Sequence, residues 1–436
     1  MGALAIGVGM ASLDTAIVNT ALPGIAASLH TTPAASVWII NIYQLAMIAT
    51  MLPFAALGEI VGYRRVCIGG LALFTAASLA CALAWSLPSL VAARLLQGLG
   101  ASAVMGVNTA LLRAIYPARQ MGRGMGANAL IVALGFAIGP TAASLILSFA
   151  SWPWLFAINV PLGIVGLLLA SRFLPLTRRA THAFDLATAA FNACAFGLLV
   201  LAIGEGAHAA PAAVIGAELA ASAVFFMLLL RRQRGHPAPM LPVDLFRRPL
   251  FFLSVLTAVC TFATQGLAFV SLPFYFEHVL GRSPVETGFL ITPWAVLVGI
   301  MAPIAGRLSD RYPPGLLGGI GLLALSGGML SLLLMPAHPG SLAICWRMAL
   351  CGLGFGFFQA PNLKAIMSSA PPERAGGASG IVATSRLVGQ ASGAALVALC
   401  FTLAGTHGTS WALALGAASA AVASIASFAR LAVQKD

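Results

Sequence analysis

Long uninterrupted apolar stretches dominate the chain. The segments 15–58, 66–93, 124–171, 312–346 and 387–429 contain no Asp, Glu, Lys or Arg. Because about 20 apolar residues span the hydrocarbon core of a bilayer, most of these stretches hold two membrane helices each. Turn residues and polar connections divide the chain into fourteen predicted spans, near residues 2–26, 37–57, 66–84, 89–112, 124–148, 154–173, 184–204, 211–230, 250–274, 285–305, 314–335, 340–361, 377–403 and 410–429.

Composition and charge distribution fit a membrane protein. Hydrophobic residues fill 60% of the 436 positions and charged residues only 8%, against about 25% charged in an average soluble domain. Nineteen of the 23 Lys and Arg fall in every second connection, which by the positive-inside rule puts both termini in the cytoplasm. The basic residues form no nucleic-acid-binding motif. We therefore expect a monomeric integral protein of the bacterial inner membrane, with the lipid bilayer and no nucleic acid as partner.

An internal repeat divides the chain into two halves. Shifting the first half by 251 residues lays Asp14 on Gln265, and a shift of 254 superimposes the glycines of the fourth span on those of its counterpart. Parallel halves with a site near the midplane are typical of secondary transporters. The pattern predicts an all-α membrane fold with six-helix bundles at 1–175 and 250–436, and with two inserted helices and a basic cytoplasmic loop at 176–249.

Asp14 and Arg94 are charged side chains that lie deep inside predicted spans. An ionised residue at the centre of a membrane helix costs about 2.5–3.5 kcal/mol on insertion scales, so such residues are functional candidates. Asp14 in span one could bind a proton or a cationic substrate, and exclusive occupancy would couple the two fluxes. Arg94 in span four needs an aqueous cavity or a polar partner. The alternative for both residues is a purely structural hydrogen bond or ion pair.

Acidic and basic residues recur in one cytoplasmic turn of each half. Glu59, Arg64 and Arg65 lie between spans two and three, and Asp310 and Arg311 follow the equivalent span of the second half. Acid and base in a tight turn can exchange partners, including a helix N-terminus, when two halves rock. We expect a conformational switch here. The alternative is a solvated loop with arginines that only set the topology.

Two further groups of residues are candidates. Gly135, Gly139 and Pro140 in span five combine small residues at a spacing of four with a helix-bending proline, which favours close helix approach. Glu205 and Glu218 flank the outer connection of the inserted helices. They could be accessory proton or cation sites, together with the Gln265 of the repeat, or solvated residues at the membrane interface.

Taken together, these motifs resemble the fourteen-span drug/proton antiporter branch of the major facilitator superfamily. The resemblance rests on LDTAIVNTALP at 13–23, RLLQGLG at 94–100, GFAIGP at 135–140, WPWLFAINVPLG at 152–163 and the turn around Glu59. It implies that Asp14 is the proton or cation site, that Arg94 acts in proton coupling and that Glu59 belongs to the switch. Departures include Glu59 in place of Asp and Pro153 in place of Arg.

The resulting hypothesis is export of hydrophobic, cationic small molecules in exchange for protons by alternating access. It involves small-molecule substrates and protons and requires no catalytic residue, cofactor or metal. One alternative is an exporter of a specific metabolite or anion, because interior arginines outnumber interior carboxylates. A channel is another, and saturable, counter-ion-dependent flux would exclude it. An integral-membrane enzyme is the remote alternative, since the chain lacks HExxH, Gly-x-Ser-x-Gly and phosphate-binding glycine-loop motifs.

Overall fold

The fold comes from a computed structural model, which describes residues 1–117, 121–177, 185–206, 211–233, 243–336, 338–371 and 375–433. Helices account for nearly all of these residues, and none of them forms a strand. The prediction of an all-α membrane fold is therefore confirmed. The α-helices are α1 Gly2–Ser28, α2 Pro33–Ser36, α3 Trp38–Val61, α4 Tyr63–Ala82, α5 Leu87–Ile115, α6 Met121–Leu147, α7 Pro153–Ala157, α8 Asn159–Phe173, α9 Leu186–Gly206, α10 Ala212–Gln233, α11 Pro249–Phe274, α12 Pro284–Leu308, α13 Pro314–Leu333, α14 Ser341–Ser369, α15 Ala375–Ala404 and α16 Gly408–Val433.

Thirteen helical segments in the described ranges are long and apolar enough to cross a membrane. A shorter apolar stretch, Leu186–Ala202 in α9, corresponds to the predicted seventh span. Several helices start with Pro in the first turn, where the missing N–H costs no hydrogen bond. Ser283 shows how sequence sets such a boundary: its side chain accepts from the backbone N–H of Glu286, which completes a capping box at the start of α12.

The described residues form two compact units. The N-terminal unit contains α1–α10, and the C-terminal unit contains α11–α16. The inserted pair α9 and α10 packs with the N-terminal unit, because α9 lies against α3 and Asn192 Nδ2 of α9 donates to the carbonyl of Ala49 at 3.0 Å. Within the predicted basic loop, which runs from Arg231 to Pro249, residues 234–242 lie outside the described residues.

Glycines bring helices into close contact in the same way in both units. A Cβ on Gly70 of α4 would meet the backbone of Gly100 on α5, and a Cβ on Gly321 of α13 would meet the backbone of Gly354 on α14. These pairs correspond at offsets of 251 for α4/α13 and 254 for α5/α14. The internal repeat found in the sequence is therefore a repeat of helix packing.

Candidate functional site

The carboxylate of Asp14 lies near the middle of α1 and is fully buried in the N-terminal unit. Its Oδ2 accepts a hydrogen bond from Arg94 Nη1 at 2.5 Å, and its Oδ1 accepts from Gln97 Nε2 and Asn159 Nδ2, both at 2.9 Å. The side chains of Asp14 and Arg94 are at most 1% exposed. Buried charges are tolerated when they are paired and hydrogen-bonded, and donors from α5 and α8 meet this requirement for the carboxylate.

The guanidinium of Arg94 is held from several sides. Its Nη1 also donates to Gln97 Oε1 at 2.6 Å, and its Nε donates to the carbonyl of Ile39 on α3 at 3.1 Å. The guanidinium carbon lies 4.1 Å from the ring centre of Tyr43 and 5.7 Å from that of Phe156, within the range of cation–π attraction. Because Arg94 and Gln97 are three residues apart on α5, both side chains reach the same face.

Gln97 links this charged cluster to α4. Its Nε2 donates to Ser78 Oγ at 2.9 Å, and its Oε1 accepts from Cys81 Sγ at 3.5 Å. Close approach of α5 to α4 makes these contacts possible, since a Cβ on Gly100 would lie 2.5 Å from the backbone nitrogen of Phe74. We call Asp14, Ser78, Arg94, Gln97 and Asn159 the polar cluster.

The contacts of Asp14 suit a negatively charged carboxylate. Ionised Asp14 uses all three surrounding donors. A proton or an organic cation that neutralised this carboxylate would leave the Arg94 charge without its partner in a buried site, which is costly.

The C-terminal unit has apolar residues at the corresponding positions. At the offsets fixed by the glycine contacts, Ser78, Arg94 and Gln97 correspond to Met329, Met348 and Cys351. All three are completely buried in the hydrophobic core of that unit. At these three positions, charged and polar interactions are thus present in the N-terminal unit and absent from the C-terminal unit.

The structure shifts the repeat register of the first helix by one residue. Gly135 lies against Ser12 and Gly389 against Phe262, which is an offset of 250 between α1 and α11. Thr264, not Gln265, therefore takes the position of Asp14. The cause is a one-residue difference in helix packing that a linear alignment by motifs did not reveal.

Gln265 lies instead beside α15. Its Oε1 accepts from Gln390 Nε2 at 2.9 Å, and both side chains are buried. The amide pair carries no charge. Gln390 was missed by sequence analysis because nothing in its neighbourhood distinguishes it from other polar residues of α15.

The glycine motif of α6 packs against α1. A Cβ on Gly139 would collide with Ala16, and a Cβ on Gly135 would lie 2.8 Å from the Cβ of Ser12. Pro140 is buried, and its carbonyl accepts from Ser144 Oγ at 3.0 Å. These glycines set the distance between α6 and the helix that carries Asp14.

The residues predicted as the switch lie at helix ends. Arg64 donates to the carbonyl of Ser171 at the end of α8, whereas Glu59 and Arg65 are exposed. Gly62 joins α3 to α4 with φ of 105°, a conformation that glycine adopts without strain.

In the C-terminal unit, Asp310 is paired with a lysine that the sequence analysis did not consider. Its Oδ1 accepts from Lys364 Nζ at 2.7 Å, and that ammonium also donates to the carbonyl of Ser309. Arg311 is exposed. Lys364 is near the C-terminal end of α14, far from Asp310 in sequence, which explains why spacing gave no signal for the pair.

Glu205 on α9 and Glu218 on α10 are near enough to interact electrostatically. Oε2 of Glu218 is buried without a hydrogen-bond partner in the described structure. The two carboxylates therefore form an acidic pair, separate from the polar cluster, on α9 and α10.

Arg430 on α16 is a buried cation that the sequence analysis assigned to the cytoplasmic charge. It is 0% exposed. Its Nη1 donates to Asn362 Oδ1 at 2.7 Å and to Ser254 Oγ at 3.1 Å, and its Nη2 donates to Ser427 Oγ. No carboxylate of the described ranges forms an ion pair with it, so neutral groups from α11 and α14 and from α16 itself satisfy the guanidinium.

Comparison with known proteins identifies the family. The model of the Major Facilitator Superfamily matches residues 4–394. In the described part of the chain no group of three or more His, Cys, Asp or Glu is arranged to hold a metal ion.

Similar curated proteins cover most of the chain. The uncharacterized transporter YebQ of Escherichia coli is 52% identical over 98% of this chain and 94% of its own length. The riboflavin transporter RibZ of Clostridioides difficile is 30% identical over 93% of this chain and 88% of its own. The multidrug resistance protein Stp of Mycobacterium tuberculosis is 33% identical over 91% of this chain and 74% of its own.

Among solved structures, a POT family transporter in complex with a thioalcohol-conjugated peptide superimposes with a TM-score of 0.73. It covers 100% of this chain and 96% of its own at 15% identity. At that identity the similarity concerns the fold.

Proposed function

The chain belongs to the Major Facilitator Superfamily and is a membrane transporter rather than an enzyme, and from this premise we propose that it exports hydrophobic, cationic small molecules in exchange for protons. Asp14 is the shared site for proton and substrate. Export proceeds across the bacterial inner membrane by alternating access, with both termini in the cytoplasm. The similarity to a multidrug resistance protein supports this substrate class.

The observation that carries the proposal is the buried ion pair between Asp14 and Arg94. A carboxylate that must be either paired with Arg94, protonated or bound to an organic cation cannot serve two ligands at once. Exclusive occupancy makes binding of one ligand release the other, which is the thermodynamic requirement for exchange. Arg94 takes part by stabilising the ionised state.

The experiment is transport by the full-length protein in reconstituted vesicles. Vesicles with an acidic interior should accumulate ethidium, and nigericin, which collapses the pH gradient, should abolish the uptake. Asp14→Asn should reduce gradient-driven uptake to the level of empty vesicles. Full gradient-driven uptake in Asp14→Asn would rule out Asp14 as the coupling site.

A second candidate is export of one specific metabolite or anion. Two observations favour it: the similarity to a riboflavin transporter, and the excess of buried Arg94 and Arg430 over buried Asp14 in the described structure. Competition against a labelled substrate separates the two proposals. Inhibition by members of only one chemical class supports the specific exporter, and inhibition by unrelated cations supports multidrug export.

A further inference from the structure

Asn41 on α3 is a buried amide for which the protein supplies no hydrogen bond. It is 1% exposed, and neither its Nδ2 nor its Oδ1 has a partner in the described structure. One turn later on the same helix, Gln44 is 3% exposed and its Oε1 also lacks a partner. Leaving a buried polar atom without a partner costs free energy. Such groups therefore call for a partner that the chain itself does not provide.

Other buried amides of the N-terminal unit are used differently. Gln97 and Asn159 both donate to Asp14. Asn192 donates to the carbonyl of Ala49. By comparison, Asn41 has two fully buried atoms without partners, so its side chain forms no hydrogen bond to a neighbouring helix in the described structure.

Asn41 and Gln44 lie on a different face of α3 from the residues that hold Arg94. Ile39 and Tyr43 contact Arg94. With about 3.6 residues per turn, Asn41 and Gln44 point about 200° and about 140° around the axis from Ile39. They therefore point away from α5 at this level of the helix.

A third face of α3 is covered by α9. The carbonyl of Ala49 accepts from Asn192 of α9, and Gly204 of α9 lies against Trp38. Ala49 and Trp38 lie about 280° and about 260° around the axis from Ile39. The amide face is thus distinct from the face that α9 covers as well as from the face that contacts Arg94.

The two amides are close in depth to the polar cluster. At about 1.5 Å of rise per residue, Asn41 and Gln44 lie about 3 Å and about 8 Å along α3 from Ile39, whose carbonyl binds Arg94. A ligand on the amide face would be separated from the Arg94 side by the width of one helix.

We propose that Asn41 and Gln44 form a substrate-recognition site that selects compounds carrying an amide or similar group with an N–H donor beside a carbonyl. The chemistry follows from the atoms without partners. Asn41 Oδ1 and Gln44 Oε1 accept hydrogen bonds, and Asn41 Nδ2 donates. This inference rests on the proposed function, because it takes the ligand to be a transported organic cation, and it adds a recognition element on a different face of α3 from the one that contacts Arg94.

The matched ligands procainamide and procaine test the proposal. Both are tertiary-amine cations of nearly equal size, and they differ in that procainamide has an amide N–H where procaine has an ester oxygen. Binding of each is measured by isothermal titration calorimetry on the purified full-length protein in detergent. The assay requires neither transport nor a proton gradient, so its result is independent of whether the proposed proton exchange is correct.

Wild type should bind procainamide at least tenfold more tightly than procaine, because a site built around hydrogen-bond acceptors discriminates against a ligand without the donor. The preference should fall to less than twofold in Asn41→Leu and be reduced in Gln44→Leu. Leucine should be tolerated at 41, since no protein hydrogen bond is lost there. Asn192→Ser, which changes a buried amide on α9, should retain the preference.

Equal affinity of wild type for the two ligands would overturn the proposal. A tenfold preference that survives in both Asn41→Leu and Gln44→Leu would also overturn it. The two amides would then not be the groups that recognise the ligand, and buried water would be their hydrogen-bond partner. Equal loss of the preference in Asn192→Ser would assign the effect to general packing of α3 and would also contradict the proposal.

Discussion

Asp14 on α1 and Arg94 on α5 form an ion pair of 2.5 Å in which neither side chain is more than 1% exposed. The residues are eighty positions apart in the sequence. A buried pair of this kind stabilises little compared with an apolar substitute, but removing one partner leaves an uncompensated charge. Its occurrence in only one half of a structural repeat indicates a functional role for it.

Arg94→Met should lower the free energy of unfolding by about 3–5 kcal/mol, because it leaves the carboxylate of Asp14 buried without its cation. The double variant Asp14→Leu/Arg94→Met should recover most of that loss. The C-terminal unit already folds with Met348 at the corresponding position. Thermal unfolding in detergent provides the measurement, and a double variant less stable than Arg94→Met would contradict the interpretation.

Gly139→Val should destabilise the contact between α1 and α6 by about 1–3 kcal/mol, because the new side chain would overpack against Ala16. Ala16→Gly in the same chain should restore part of the stability. Gly24→Val on α1 is a control, since no heavy atom lies within 4 Å of a Cβ at that position. Equal melting temperatures for Gly139→Val and Gly24→Val would show that the close approach is unimportant.

Arg430→Lys should lower the melting temperature. Lysine keeps a buried charge but cannot reproduce the planar set of hydrogen bonds to Asn362, Ser254 and Ser427. Each buried acceptor left without a partner costs about 1–3 kcal/mol. The exposed Arg311→Lys serves as the control and should leave the melting temperature unchanged. A lysine variant as stable as wild type would contradict this account of Arg430.

The exposed ion pair between Asp185 and Arg232 should contribute to stability in a pH-dependent way. Hydrogen bonds from Arg232 and Thr188 lower the pKa of Asp185 well below its usual range. Its stabilising effect is therefore present above the ordinary aspartate pKa and is lost only as the pH falls through the lowered value. Because the pair is exposed, it contributes little to stability.

Asp185→Asn should consequently leave the pH profile of transport between pH 5 and 8 unchanged. It should leave the melting temperature at neutral pH nearly unchanged. Transport and thermal unfolding measured across this range provide the test. A shifted transport profile would mean that the inserted helices take part in proton coupling.

The apolar pattern predicted the fold because membrane helices are specified by length and composition alone. Each of the long apolar helical segments in the described residues coincides with a predicted span. Small-residue spacing likewise identified Gly135 and Gly139, whose neighbours on α1 are now defined.

The partners of the polar residues could not be predicted. Asp14 and Arg94 were recognised separately, but their pairing depends on the rotation and depth of two helices, which the sequence does not specify. Gln97 had a local signal, since it lies one turn from Arg94, whereas Ser78 had none. Arg430 looked like a cytoplasmic topology signal because its position near a helix end is the same as that of an exposed arginine.

The exact register of the internal repeat was the other feature that the sequence did not predict. Motif alignment paired Asp14 with Gln265, while helix packing pairs it with Thr264. A helix can shift by one residue along its neighbour without changing its hydrophobic pattern when its surface is apolar all round. Only the contacts of the glycines reveal such a shift.

Proton release on substrate binding is the most direct test of competition at Asp14. Ethidium or another cationic dye is added to the purified protein in weakly buffered detergent solution, and the pH is followed for wild type and Asp14→Asn. The account predicts release of protons from wild type and none from Asp14→Asn. Equal release from both proteins, or no release from folded wild type with any cationic dye, would contradict it.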